Sequence, residues 1–123
     1  MSKKVLIADD EPNILISLEF LMRREGHAVT VARDGDEALA AIRNDRPDLV
    51  LLDVMMSGKS GFDVCQAVRA DPELAGVRIL MLTAKGRDTD FAKGTALGAD
   101  AYVTKPFSTH ELAARVRELL GLA

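Results

Sequence analysis

Several things are scarce in this sequence. Among 123 residues there is one cysteine, Cys65. A single thiol excludes an internal disulfide and a cysteine-rich zinc site, and it suits a reducing cytoplasm. The two histidines, His27 and His110, are too isolated to form a metal pair, and neither has a nucleophile that would complete a catalytic triad. Long apolar stretches are missing too. The N-terminal apolar run breaks at Asp9 and Asp10, short of a signal peptide, and nothing elsewhere approaches the roughly twenty residues of a membrane span. No glycine-rich turn follows that first run, which counts against a dinucleotide site. Nor is there much net charge: 16 basic against 19 acidic residues leave −3, with no electrostatic reason to bind nucleic acid or an anionic membrane. Internal repeats, low-complexity tracts and linkers are absent.

What is present is one domain's worth of core, spanning 1–123, with 48% hydrophobic and 28% charged residues. Five short apolar runs recur: Val5 to Ala8, Ala28 to Ala32, Leu49 to Leu52, Ile79 to Leu82 and Ala101 to Val103. The third and fourth lack polar alternation, as expected of strands buried on both faces of a parallel sheet. Helical patterns lie between them. Ile14, Leu15, Leu18, Leu21 and Met22 follow Pro12 and stop before Gly26; Ala38, Leu39 and Ile42 are closed off by Pro47. Phe62, Val64, Cys65 and Val68 end before Asp71-Pro72, and Phe91 to Leu97 is stopped by Gly98. A capping pattern at Ser108–Glu111 opens the last helix, with Leu112, Val116, Leu119 and Leu120 inside. Five βα units with right-handed crossovers predict an α/β three-layer (βα)5 sandwich.

Ligands of open parallel sheets bind beyond the carboxyl ends of the strands. There the runs deliver Asp9-Asp10-Glu11, then Asp53, then Thr83, then Lys105-Pro106. Taken singly, each has an ordinary reading: a solvated helix-capping loop, another cap, a strand-end hydroxyl bonded to backbone, a common loop pair. Converging on one edge, they make a site. Clustered carboxylates repel unless one protonates or a cation intervenes. Mg²⁺ takes oxygen ligands and needs only one or two carboxylates beside phosphate oxygens. Asp53 can be both ligand and nucleophile toward phosphorus. Lys105 supplies counter-charge, Thr83 a hydrogen bond to a phosphoryl oxygen, and Ala84 leaves room.

These residues resemble the receiver domains of two-component response regulators across essentially the whole chain. The motifs are Val5–Glu11, Leu51–Met56, Met81–Ala84 and Ala99–Phe107. The resemblance implies a flavodoxin-like parallel sheet of order 2-1-3-4-5. It implies Mg²⁺ held by Asp10, Asp53, the backbone carbonyl of Met55 and water, with Asp9 in support. Asp53 would be phosphorylated by a histidine kinase or histidine phosphotransfer protein. Thr83 would then move toward the phosphoryl group and Tyr102 turn inward. Lys105 would pair with the phosphoryl group, and a cis peptide would join it to Pro106. Output would pass through the last two helices and the strand between them, to a partner protein or a fused output domain. The expected setting is cytoplasmic, either as a stand-alone receiver or as part of a longer regulator, and not as an enzyme beyond its own phosphotransfer and dephosphorylation. The alternative, a small-molecule phosphatase or phosphotransferase working through an aspartyl-phosphate, needs a general acid two residues after the nucleophile. Met55 stands there.

The sequence departs from the family in places. Ser57 replaces a usual proline, which predicts a more mobile loop, and Lys59 is expected to face water. Met55 and Lys85 occupy positions that tune phosphoryl lifetime, and Lys85 cannot orient a water as a carboxylate would, so slow self-hydrolysis is expected. The last helix resembles those of dimerising DNA-binding regulators, in which charges cross the interface. Glu111 and Arg115 are present, but Ala101 replaces an acid and Phe91 a base, so half the charge set for such a homodimer is missing. Phe91 and Cys65 are read as packing residues.

Overall fold

Five strands and five helices alternate in the computed structural model, which describes residues 3–84 and 88–122, less the side chains of Asp88, Asp90 and Phe91. The expectations attached to Lys85 and Phe91 lie outside the described residues. The strands β1 (Lys4–Ala8), β2 (Ala28–Ala32), β3 (Leu49–Asp53), β4 (Arg78–Ala84) and β5 (Ala101–Lys105) are all parallel, in the order β2-β1-β3-β4-β5. The helices are α1 (Pro12–Arg24), α2 (Gly35–Asp45), α3 (Gly61–Ala70), α4 (Asp88–Leu97) and α5 (Thr109–Leu119).

The uninterrupted apolar runs are the interior of this sheet. Every residue of β3 is buried, whereas edge strand β2 is mostly exposed or half-buried. Alternate residues of the strands feed two separate cores. Leu6, Val50, Leu52, Ile79 and Met81 meet α2 and α3 through Leu39, Ile42, Val64 and Val68. Val5, Ile7, Leu49, Leu51, Leu80 and Leu82 meet α1 and α5 through Leu15, Leu18, Leu112 and Val116. Each such aliphatic side chain stabilises the fold by about 1.5–3 kcal/mol.

Several boundaries differ from the sequence pattern, each for a local reason. β4 and β5 continue past their apolar runs because Thr83 pairs with Thr104 and Ala84 with Lys105. Lys105 is therefore the last residue of β5 rather than a loop residue. Helix α4 begins at Asp88, earlier than the apolar spacing from Phe91 indicates. At the end of α5, Leu119 and Leu120 are partly buried and pack against the core as the pattern indicates, and Ala113 joins Leu112 and Val116 inside. Helix α2 ends on Arg46 at φ 47°, ahead of Pro47, a residue that disfavours helical geometry in its predecessor.

Candidate functional site

The parallel topology puts the carboxyl ends of β1, β3, β4 and β5 on one edge, and the acidic and basic residues gather there. Asp9 follows β1, is fully buried, and has both oxygens engaged. One accepts from the Glu11 backbone N–H at 2.9 Å, and the other from Lys105 Nζ at 2.8 Å. Lys105 also reaches Glu11 Oε1 at 3.2 Å and Asp53 Oδ1 at 3.4 Å. Asp9, Asp10 and Asp53 each offer a carboxylate oxygen, all within 4.8 Å of one another; Asp10 is exposed and the other two are buried.

One ammonium does not balance this group. Burial, then the Asp9 carboxylate, push Asp53 up to about 7, against the pull of Lys105 and of a backbone hydrogen bond from Met55. Burial pulls Lys105 down, but its hydrogen bond to Asp9 and the charges of Asp53 and Asp9 outweigh that, and its pKa is raised. An all-oxygen donor set with unbalanced negative charge, part buried and part open, has the chemistry of a site for a hard divalent cation. With Asp9 already committed to Lys105, Asp10 and Asp53 are the carboxylates with oxygens to spare.

The loop after Asp53 is fixed against its neighbours by close backbone approaches. The Val54 N–H donates to Leu82 O at 3.1 Å and the Gly61 N–H to Val54 O at 2.9 Å. A Cβ on Gly61 would collide with the Asp53 carbonyl oxygen. Farther along, the Gly35 N–H at the start of α2 donates to Ser57 O at 3.3 Å, and a Cβ on Gly35 would collide with Lys59 O. The loop that lacks the proline is thus braced on α2. Lys59 is exposed, and Met55 is 59% exposed at the mouth of the site, with no proton-donating group on its side chain. Thr83 is buried at the end of β4 with Ala84 beside Lys105 in register. The Lys105–Pro106 peptide is cis. Tyr102 lies inward, 9% exposed.

The bracing role of Gly35 and the attachment of Glu11 to Lys105 were missed in the sequence. The pair Asp34-Gly35 was available as a turn signal, but nothing in it marks the loop it would touch.

Residues 5–117 match the family model for the response regulator receiver domain. The chain belongs to that family. This receiver domain is 48% identical over 120 residues to the DNA-binding response regulator MtrA of Mycolicibacterium smegmatis, covering 98% of this chain and 51% of that protein. It therefore spans about half the length of the curated relative. Among solved structures, the chemotaxis response regulator CheY4 of Vibrio cholerae superposes with a TM-score of 0.90 at 32% identity, covering 97% of this chain and 99% of that one. The receiver domain of the sensor histidine kinase PA1611 of Pseudomonas aeruginosa PAO1, which carries a magnesium ion in its active-site cleft, gives 0.90 at 26% identity, covering 98% of this chain and 99% of its own. Receiver domains of response regulators are signalling domains. No described helix of this one is long and apolar enough to cross a membrane.

Cys65, by contrast, takes no part in the site. It is buried in the α3 core, its Sγ lies 3.6 Å from Leu97 O, and burial raises its pKa. His27 is buried at the opposite end of the sheet, where its Nδ1 accepts from the Lys3 N–H at 3.4 Å and burial lowers its pKa.

Proposed function

We propose that Asp53 is the phosphoacceptor of a two-component signalling pathway, phosphorylated in the presence of Mg²⁺ by a histidine kinase or histidine phosphotransfer protein. The observation that carries this reading is the convergence of Asp9, Asp10, Asp53 and Lys105 around one carboxylate at the end of a fully buried strand. Asp10, Asp53 and the Met55 carbonyl would hold the cation, with Asp9 supporting from behind through Lys105. When bound, the cation neutralises charge between the carboxylate and the incoming phosphoryl group.

The protein's own groups then have defined tasks. An Asp53 oxygen forms a bond to phosphorus as the phosphorus–nitrogen bond of the donor histidine breaks, and the histidine keeps the electron pair and takes a proton. Asp53 must be ionised to attack, which the cation and Lys105 both favour. Lys105 turns from Asp53 to a phosphoryl oxygen, and Thr83 and its neighbour Ala84 receive the group as hydrogen-bond donor and open space. A phosphoryl group adds about 1.5–2 negative charges and three strong acceptors at one point, enough to bias two packings that differ by a few kcal/mol.

Met55 places no base beside the phosphoryl group to activate water, so self-hydrolysis is slow. Output runs through α4, β5 and α5 to a partner protein or a fused domain. Glu111 and Arg115 are exposed on α5, but Ala101 is buried against α5 and brings no charge to a homodimer at that face. The setting is cytoplasmic.

Beryllofluoride with Mg²⁺ tests the site. The amide resonances of Thr83, Tyr102 and Lys105 are expected to shift in wild type and not in Asp53→Asn. If the reagent leaves all three unmoved, and Asp53→Asn binds Mg²⁺ as well as wild type does, the assignment fails.

A further inference from the structure

The Met55 carbonyl belongs to a short stretch of loop that is held at two places. On its β3 side, Val54 donates to Leu82 O and accepts from the Gly61 N–H, which ties it to β4 and to the start of α3. On its far side, Ser57 O accepts from the Gly35 N–H, in the first turn of α2. Two further approaches join that turn of helix to the same loop. A Cβ on Gly35 would collide with Lys59 O and lie 2.6 Å from its carbonyl carbon and 2.7 Å from its Cβ. A Cβ on Gly58, whose φ is 72°, would lie 2.8 Å from Asp36 Oδ2.

A side chain at position 35 would force either the helix or the loop aside. The helix has little room to retreat. Ala38, Leu39 and Ile42 are buried in the core shared with α3, and the Asp34 carboxylate caps the helix by accepting from the Glu37 N–H at 2.8 Å. A close-packed core of this kind resists compression. The loop is the weaker partner, because Ser57, Gly58 and Lys59 are exposed and no proline stiffens them. The displacement therefore falls on the loop, and Met55, two residues before Ser57, moves with it. Two cations would read that movement differently. Mg²⁺ demands near-ideal octahedral geometry with short bonds, whereas Ca²⁺ accepts longer and less regular sets of oxygens.

We propose that Gly35 is a positioning residue for the Met55 carbonyl. The first turn of α2 sets where the loop carries that oxygen, and the bare backbone at 35 keeps the site at the dimensions of Mg²⁺. The inference rests on the reading of Asp10, Asp53 and Met55 as the cation's ligands given above.

The test uses the full chain, with amide resonances followed through titrations with MgCl2 and with CaCl2. In Gly35→Ala the Mg²⁺ dissociation constant is expected to rise several-fold and the Ca²⁺ constant much less. Arg69→Ala, which loosens the opposite end of α3, is expected to change neither. An unchanged Mg²⁺ constant in Gly35→Ala, an equal loss of both ions, or the same change in Arg69→Ala overturns the proposal. Reciprocity supplies a second measurement that needs no variant. In wild type, saturating Mg²⁺ is expected to slow hydrogen exchange of the Gly35 amide several-fold and to leave the Gly121 amide, in the turn after α5, as it was. Gly35 exchange that is indifferent to Mg²⁺ overturns the proposal. Wild type that binds no Mg²⁺ overturns the reading of the site and this inference with it. Mg²⁺ binding by wild type, with either measurement failing, overturns this inference alone.

Discussion

At the end of β3, Asp53 is raised from 3.8 to about 7 by burial and by Asp9. The folded protein therefore holds the Asp53 proton to higher pH than the unfolded chain does. Between about pH 4 and about 7 the folded state binds more protons, so the contribution of this residue to stability falls as pH rises through that window. Asparagine carries no such charge. Metal-free Asp53→Asn is expected to be more stable than wild type near neutral pH, each unit of displaced pKa corresponding to about 1.4 kcal/mol. The advantage should close toward about pH 4, and Mg²⁺ should narrow it by stabilising wild type. Urea midpoints of both proteins across pH, with and without Mg²⁺, check this; a difference constant with pH would contradict it. Asp10, Asp53, Thr83 and Lys105 were legible in the sequence because each closes or follows an apolar run, and parallel topology alone then brings them to one edge. The bond between Lys105 and Asp9 was not legible. It joins residues 96 positions apart, and in sequence Asp9 reads as support for the cation and Lys105 as a counter-charge for the phosphoryl group, with nothing to pair them with each other.

Among the elements, the end of α3 is tied through one side chain, Arg69, to the segment after α4 and to the residue before β4. Besides Gly98 O and Asp100, Arg69 donates to Val77 O at 2.8 Å, and Asp100 in turn accepts from the Ile79 N–H at 2.8 Å. The guanidinium fork serves three acceptors on two segments, which a lysine cannot reproduce. Arg69→Ala is expected to destabilise the domain by about 2–3 kcal/mol, since charge-assisted hydrogen bonds are lost and two carbonyls lose a partner. Arg69→Lys should recover less than half. Chemical denaturation checks both, and a loss under about 0.5 kcal/mol, the value of an ordinary surface ion pair, would contradict the clamp. This clamp had no sequence signature, because two of its acceptors are backbone carbonyls that any residue supplies. The start of α3 is a milder case. Ser60 accepts from the Asp63 N–H, and Asp63 accepts from the Ser60 N–H, a full capping box built with the shorter aspartate where glutamate or glutamine is usual. At α5 only the bond from the Glu111 N–H to Ser108 Oγ is formed.

For the whole molecule, the wholly apolar runs are the ones that lie inside the sheet. β1, β3 and β4 fill the middle of the sheet, and β2, alternating and half-exposed, takes an edge. That topology sets Asp53 beside Asp9, Asp10 and Lys105, and the proposal is that this carboxylate accepts a phosphoryl group. Intact-mass spectrometry after incubation with acetyl phosphate tests this most directly. Wild type with Mg²⁺ is expected to gain the mass of one phosphoryl group, lost again on treatment with hydroxylamine as an acyl phosphate should be. Asp53→Asn, and wild type with the cation chelated, are expected to gain none. Labelling that persists in Asp53→Asn, or its absence from wild type with Mg²⁺, would contradict the account.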